Sequence, residues 1–239
     1  MRFRKPKPVN PPPRVQIGGK PSVSTSDSRS KKRKVREQRA ERRLAQFARQ
    51  FPYALRPFKR TRRGLYVGGK IIDGGRSRGF QIGIDLVKAG WAVDVLEIFR
   101  SNADSFKCFK SPPNAPPVSV ICWDVQEISK IMPRHPMYDL TLFWHGPEHI
   151  QRDRVKPVLD ELAARTRGVL VVGCPLGVYQ QGPVDNNEHE THVCHFQPKD
   201  IEALGFQTSV IGTEGVEGSN IMGWRVIDPS ADWLNPKKA

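Results

Sequence analysis

Apolar residues in this chain fall either in short continuous blocks or in longer stretches where they recur every third or fourth position. The first kind reads as strands buried on both faces, the second as helices with one apolar side. After an apolar lead-in at 64–69, residues 70–73 give the first core strand, and a helix over 76–89 turns Ile82, Leu86 and Val87 inward before Gly90 stops it. Strands follow at 92–98, 118–123, 138–144 and 169–173. Between them lie a helical turn over 101–109, a proline-rich loop at 111–117 and a helix starting near Val125. An amphipathic helix over 152–167 buries Val155, Val158, Leu159 and Leu162, and Gly168 ends it. A last helix at 199–204 precedes strands at 206–211 and 221–227; no helix joins these two, so they must pair antiparallel. The alternation predicts an α/β fold with a mainly parallel sheet covered on both faces and an antiparallel C-terminal hairpin.

Charge divides the chain. The formal charge of +15 over 239 residues is unevenly spread: residues 1–63 hold 21 Lys and Arg against 3 Asp and Glu, leaving 18 against 21 for the rest. Three units are therefore expected, a basic arm at 1–63, a folded domain at 64–228 and a loose tail at 229–239. Residues 1–30, with Pro11-Pro12-Pro13 and a Ser/Thr cluster, have too few apolar side chains to offset the entropy of ordering. Residues 31–50 read as a cationic helix with a sparse apolar stripe at Val35, Leu44 and Phe47, ended by Pro52. Residues 53–63 then alternate Tyr53 and Phe58 with cations, combining phosphate neutralisation with stacking surface.

The arm reads as an RNA-binding element, RNA being favoured over DNA, or as contact with a ribonucleoprotein, through Lys31, Lys32, Arg33, Lys34, Arg36, Arg42, Arg43, Arg60, Arg62 and Arg63. The bland alternative is a solubilising tail. Residues 31–35 also have the composition of a nuclear import signal, so the expected location is the cytoplasm, or the nucleus in a eukaryotic setting. Four cysteines without a CxxC pair fit free thiols in a reducing compartment, and no apolar run suits a bilayer, so no membrane contact is expected.

The candidate chemistry clusters where strands end. Gly75 and Gly79 in Asp73-Gly74-Gly75-Arg76-Ser77-Arg78-Gly79 allow a sharp turn and close approach of a ligand, and Glu97 at the tip of the next strand can accept from a ribose diol. This is neither the dinucleotide fingerprint nor a phosphate-binding loop. Asp124 and Val125 follow the third strand, and Asp124 equally suits the cap of the next helix. Trp144, His145, Glu148 and His149 end the fourth strand and should face the same crevice. The polar loop at 178–195 suits a lid or substrate reader. His189, His192, Cys194 and His195 match no zinc spacing, so no metal is expected from it.

These motifs resemble those of the class I S-adenosylmethionine-dependent methyltransferases. Asp73, Gly75 and Gly79 stand in register with the family's first motif, with Ser77 in place of its middle glycine, and seven residues separate Gly90 from Glu97 as in the family. Tyr138-Asp139, the apolar run and Glu148-His149-Ile150 match the fourth-strand motif, with His145 where an Asp is usual. Asn187, Glu190 and His192 after Gln181-Gly182 are similar to a loop in small bacterial and phage members. The resemblance implies a Rossmann-like seven-stranded sheet, S-adenosylmethionine as cofactor, and adenosyl contacts from Asp73, Gly75, Ser77, Gly79, Glu97, Asp124, Val125, Trp144 and His145. His149, His192 and Glu190 become the acceptor-side candidates, with His149 or His192 as a possible base. The competing expectation is a catalytically silent module that binds nucleic acid or a ribonucleoprotein; Ser77 and His145 favour it.

Overall fold

The computed structural model describes residues 25–56, 60–72 and 76–234. Its contacts divide the chain into residues 1–38 and 39–239. The described part of the first unit is the start of helix α1 (Thr25–Gln50), where Lys31, Arg33, Lys34 and Val35 are exposed and Arg33 pairs with Glu37 one turn later at 3.2 Å.

The second unit is built on a seven-stranded sheet in the order β5-β4-β1-β6-β7-β9-β8. The strands are β1 (Arg63–Val67), β4 (Ala92–Leu96), β5 (Ser119–Ile121), β6 (Tyr138–Trp144), β7 (Thr166–Pro175), β8 (Gln207–Ile211) and β9 (Asn220–Val226). β1, β4, β5, β6 and β7 run parallel, whereas β9 is antiparallel to both β7 and β8. This is the expected α/β architecture with its closing hairpin.

Period-two alternation sends neighbouring side chains of each strand to opposite faces. Tyr66, Val93, Val95, Leu140, Leu142, Val169 and Val171 enter one apolar cluster, with Ile82, Leu86 and Val87 of α2 (Gln81–Lys88). Leu65, Val67, Leu96, Phe143, Leu170 and Val172 enter the other, with Val155, Val158, Leu159 and Leu162 of α4 (Arg152–Arg165) and Ile201 of α5 (Pro198–Glu202). Cover on both faces explains why β7 is an unbroken apolar run from Gly168 to Cys174.

Several expectations change. The first sheet strand is β1, not residues 70–73: Lys70–Ile72 forms β2, which pairs only with β3 (Arg76–Arg78) in a separate two-stranded hairpin. Most of β1 lies in the segment at 64–69 that reads from sequence as an apolar lead-in. The arm itself is divided, because the compact unit starts at Arg39, and Phe47, Phe51 and Ala54 lie in the core. Gly168 lies within β7 rather than ending α4; a Cβ there would meet the Asp139 carbonyl oxygen at 2.2 Å. The closing segment is not wholly loose, since Trp233 is buried beside Phe51 and Trp91, with ring centroids 5.9 and 5.7 Å away. Residues 101–109 shorten to α3 (Arg100–Ser105) and one further turn, and the helix near Val125 is a short tight one. No helix among the described residues is long and apolar enough to cross a membrane.

Candidate functional site

The chain leaves β1 for β4 and β5 on one side of the sheet, then returns to β6 and β7 on the other. Such a reversal opens a crevice at the carboxyl ends of the strands, which is where ligands of open α/β sheets bind. Val67 is registered with Leu96 on one side and Phe143 on the other, so the residues that follow these three converge.

After β1 come Gly68 and Gly69, at φ of +88° and +104°, a conformation that strains any side chain. A Cβ on Gly68 would meet nothing within 4 Å, so the turn is open there, whereas one on Gly69 would meet Phe80 Cβ at 3.1 Å and the Arg78 carbonyl oxygen at 3.4 Å. Beyond β4 stands Glu97, 5% exposed. Its carboxylate accepts from the Phe99 backbone N–H at 2.8 Å and from Gly69 and Asn102. A carboxylate has about four acceptor positions, so three donors leave room for one more. Burial, reinforced by the charge of Glu190, pushes the Glu97 carboxyl up to about 7. The glycine turn that directly follows β1 is therefore Gly68-Gly69. Gly79, at φ +75°, follows the β2–β3 hairpin, Ser77 is part of β3, and Asp73 and Gly75 lie outside the described residues.

On the other side, β6 ends in His145, whose φ of +53° is rare outside glycine and holds the chain in a sharp turn. Its Nδ1 lies 3.1 Å from Oε1 of Glu148, which is 1% exposed. Burial, and then the nearby Arg43 and His192, hold the His145 imidazole well below its usual pKa, so the contact is a hydrogen bond from a neutral ring to the carboxyl group. Burial also raises the Glu148 carboxyl, and its second oxygen, Oε2, is buried without a hydrogen-bond partner.

The 178–195 loop folds back onto this turn. Val193 and Cys194 donate backbone N–H groups to the Glu148 carbonyl at 2.9 and 3.2 Å. His149 and His192 come together, ring centroids 4.9 Å apart. The Nδ1 of His149 contacts the Thr191 carbonyl at 3.1 Å, and that of His192 the Tyr179 carbonyl at 2.6 Å. A carbonyl can only accept, so each ring carries its proton on Nδ1 and, when neutral, has a bare Nε2. Burial lowers the His192 pKa. The Glu190 charge acts on both Glu97 and His145, and His149 and His192 each bring a donor atom within 4.8 Å of one on Glu148. Lys70 and Arg78 of the β2–β3 hairpin pair with Asp185 of the loop, tying the two flanks together.

Other expected residues are placed differently. Asp124 caps the turn after β5, accepting from the Gln126 N–H at 2.9 Å, and Val125 is buried. Trp144 packs in the core, against Gly173, instead of lining the crevice. Among the arm cations, Arg62 is buried and stacks over Trp91 at 5.8 Å, and Arg63 pairs with Asp94 at 2.9 Å while covering the Tyr138 ring, so both serve the fold. Arg43 is partly buried, with its Nε shielded from water and unpartnered. Burial lowers its pKa, and it lies in the electrostatic reach of Tyr66, Glu148 and His145. Sequence reasoning assigned it to the arm and missed that α1 delivers it here. The only available signal was its spacing of four from Phe47, which puts it on the buried side of the helix. Arg42 and Arg60 are exposed, whereas the side chains of Lys32 and Arg36 lie outside the described residues.

The sequence matches no protein-family model and no curated protein. Its structure is similar to that of magnesium protoporphyrin IX methyltransferase (ChlM) from Synechocystis PCC 6803 with bound SAH, with a TM-score of 0.54 and 12% identity over 89% of this chain and 90% of that one. The same enzyme with bound SAM gives 0.51 at 12% identity over 89% and 87%. The bifunctional kinase-methyltransferase WbdD gives 0.53 at 16% identity over 77% of this chain and 39% of that one. The strand order, the closing hairpin and these likenesses agree: the chain has the fold of the class I S-adenosylmethionine-dependent methyltransferases.

Proposed function

We propose that the protein is an S-adenosylmethionine-dependent methyltransferase. The observation that carries the proposal is the pairing of Glu97 with the glycine turn at the reversal point of the sheet: a buried acceptor beside backbone that is open and side-chain-free at Gly68 suits an adenosyl sugar. When bound, the cofactor supplies an electrophilic methyl group, and methyl transfer is an in-line displacement in which alignment does most of the work. The protein's part is then to hold an acceptor at the Glu148, His149, His192 and Glu190 edge. An acceptor that must lose a proton can give it to the bare Nε2 of His149 or His192. The likeness of the 178–195 loop to that of small bacterial and phage members supports a role at the mouth of the site.

Exposed Lys31, Arg33, Lys34 and Arg42 support the further reading that the basic segment recruits RNA or a ribonucleoprotein. A silent, scaffold-like role is the second reading. It is favoured by Ser77, the residue in place of the family's middle glycine, lying within β3, and by the three internal donors that already engage Glu97. Mass spectrometry of RNA from cells with and without the gene tests the acceptor class: loss of one methyl mark supports the enzyme, and an unchanged methylome supports the scaffold.

A further inference from the structure

We propose that Glu148, His149 and His192 form a binding site for one divalent transition-metal ion of the zinc type. One donor atom from each of the three lies within 4.8 Å of the others, close enough to converge on a single ion. Two histidines and a carboxylate, with positions left open, are a donor set that suits zinc.

Two further features of the site point to a ligand. Each imidazole is oriented by its Nδ1–H on a backbone carbonyl, Thr191 for His149 and Tyr179 for His192, which leaves Nε2 as the donor nitrogen. Metal-ligating histidines are commonly held in this way, because the outer hydrogen bond fixes the tautomer and the ring plane. Glu148 is steadied by the His145 Nδ1–H on Oε1 while its buried Oε2 has no partner. A buried carboxylate oxygen without a donor has lost its hydration and gained nothing in return. A bound cation would offset that loss.

The cluster is assembled from the β6 turn and from the far loop, so spacing along either segment could not show it. Only His192 of the loop residues weighed for a metal takes part; the Cys194 thiol instead contacts the Pro147 and Ile150 carbonyl oxygens. Metal ligation and a proton-accepting role use the same Nε2 atoms, so the site and the base assignment exclude each other. The metal site does not depend on methyl transfer.

The test is a titration of the full-length protein, stripped with chelator, with Zn2+ against a chromophoric competitor and with Co2+ followed by its visible absorption. One ion per chain is expected, with Co2+ bands of a nitrogen and oxygen site and no thiolate charge-transfer band. His192→Ala and Glu148→Gln should each weaken binding by at least about 10- to 100-fold, the cost of losing even an outer partner of a ligand. His189→Ala, exposed and outside the cluster, should change nothing. The proposal is overturned by the absence of stoichiometric binding, by binding that survives His192→Ala in a variant whose far-ultraviolet spectrum is native, or by a thiolate band. S-adenosylhomocysteine binding measured in chelator is independent of every one of these results, so failure of the metal site and failure of the methyltransferase reading are distinguishable.

Discussion

His149 and His192 stand edge to face, 4.9 Å between ring centroids, although one follows β6 and the other lies in the loop beyond β7. Each donates its Nδ1 proton to the backbone of the loop, so the two rings close the crevice as one unit.

In protein stripped of metal with chelator, His192→Asn should lower kcat by about 10²- to 10⁴-fold, the usual contribution of a positioned proton acceptor, while leaving the dissociation constant for S-adenosylmethionine within about twofold. Because burial lowers the His192 pKa, the acid limb of the wild-type rate profile should fall below pH 6.5. A variant with full turnover would remove His192 from the acceptor site.

Glu97 links the site to stability. Its folded pKa of about 7 exceeds the ordinary value of 4.5, so the favourable contribution of the neutral acid is complete below pH 4.5 and is lost as pH rises through about 7. Without ligand, the stability advantage of Glu97→Gln over wild type should grow by up to about 3 kcal/mol between pH 4.5 and 8. Urea denaturation at several pH values measures it. An advantage that does not change with pH would show that the carboxyl is not held in its neutral form.

Trp233 packs against Phe51 and Trp91 near the end of the chain. Trp233→Ala should cost about 3–5 kcal/mol in denaturant unfolding, a large share of a typical domain's stability. A cost under about 1 kcal/mol would return the closing segment to the loose tail read from sequence.

Replacing Lys31, Arg33 and Lys34 together by Glu should weaken RNA binding and reduce the slope of log affinity against log salt by about 2, without lowering Tm. Arg62→Ala should act the other way, costing stability through its lost stacking on Trp91. Unchanged RNA affinity in the triple variant would place the contact elsewhere.

Much of the fold was legible because its signals are local. Apolar runs, the stop glycines Gly90 and Gly205 and the helix-free link before β9 each depend on neighbours in sequence, and so does the place of Glu97 directly after the apolar run of β4. Residues 64–69 read only as an apolar lead-in to the first strand, and Arg62 and Arg63 resemble the arm until Trp91, Asp94 and Tyr138 are seen to hold them. Ile71-Ile72 offered a stronger apolar signal at the wrong place. Arg43 beside His145, and His192 beside Glu148, depend on packing between distant elements, which no spacing rule reaches.

The most direct test of the account is calorimetric titration of the full-length protein with S-adenosylhomocysteine, for wild type and Glu97→Ala. The account predicts one molecule bound per chain by the wild type and a loss of at least about tenfold in affinity in the variant, about 1.4 kcal/mol. Absence of binding by the wild type, or equal binding by the two proteins, would contradict it.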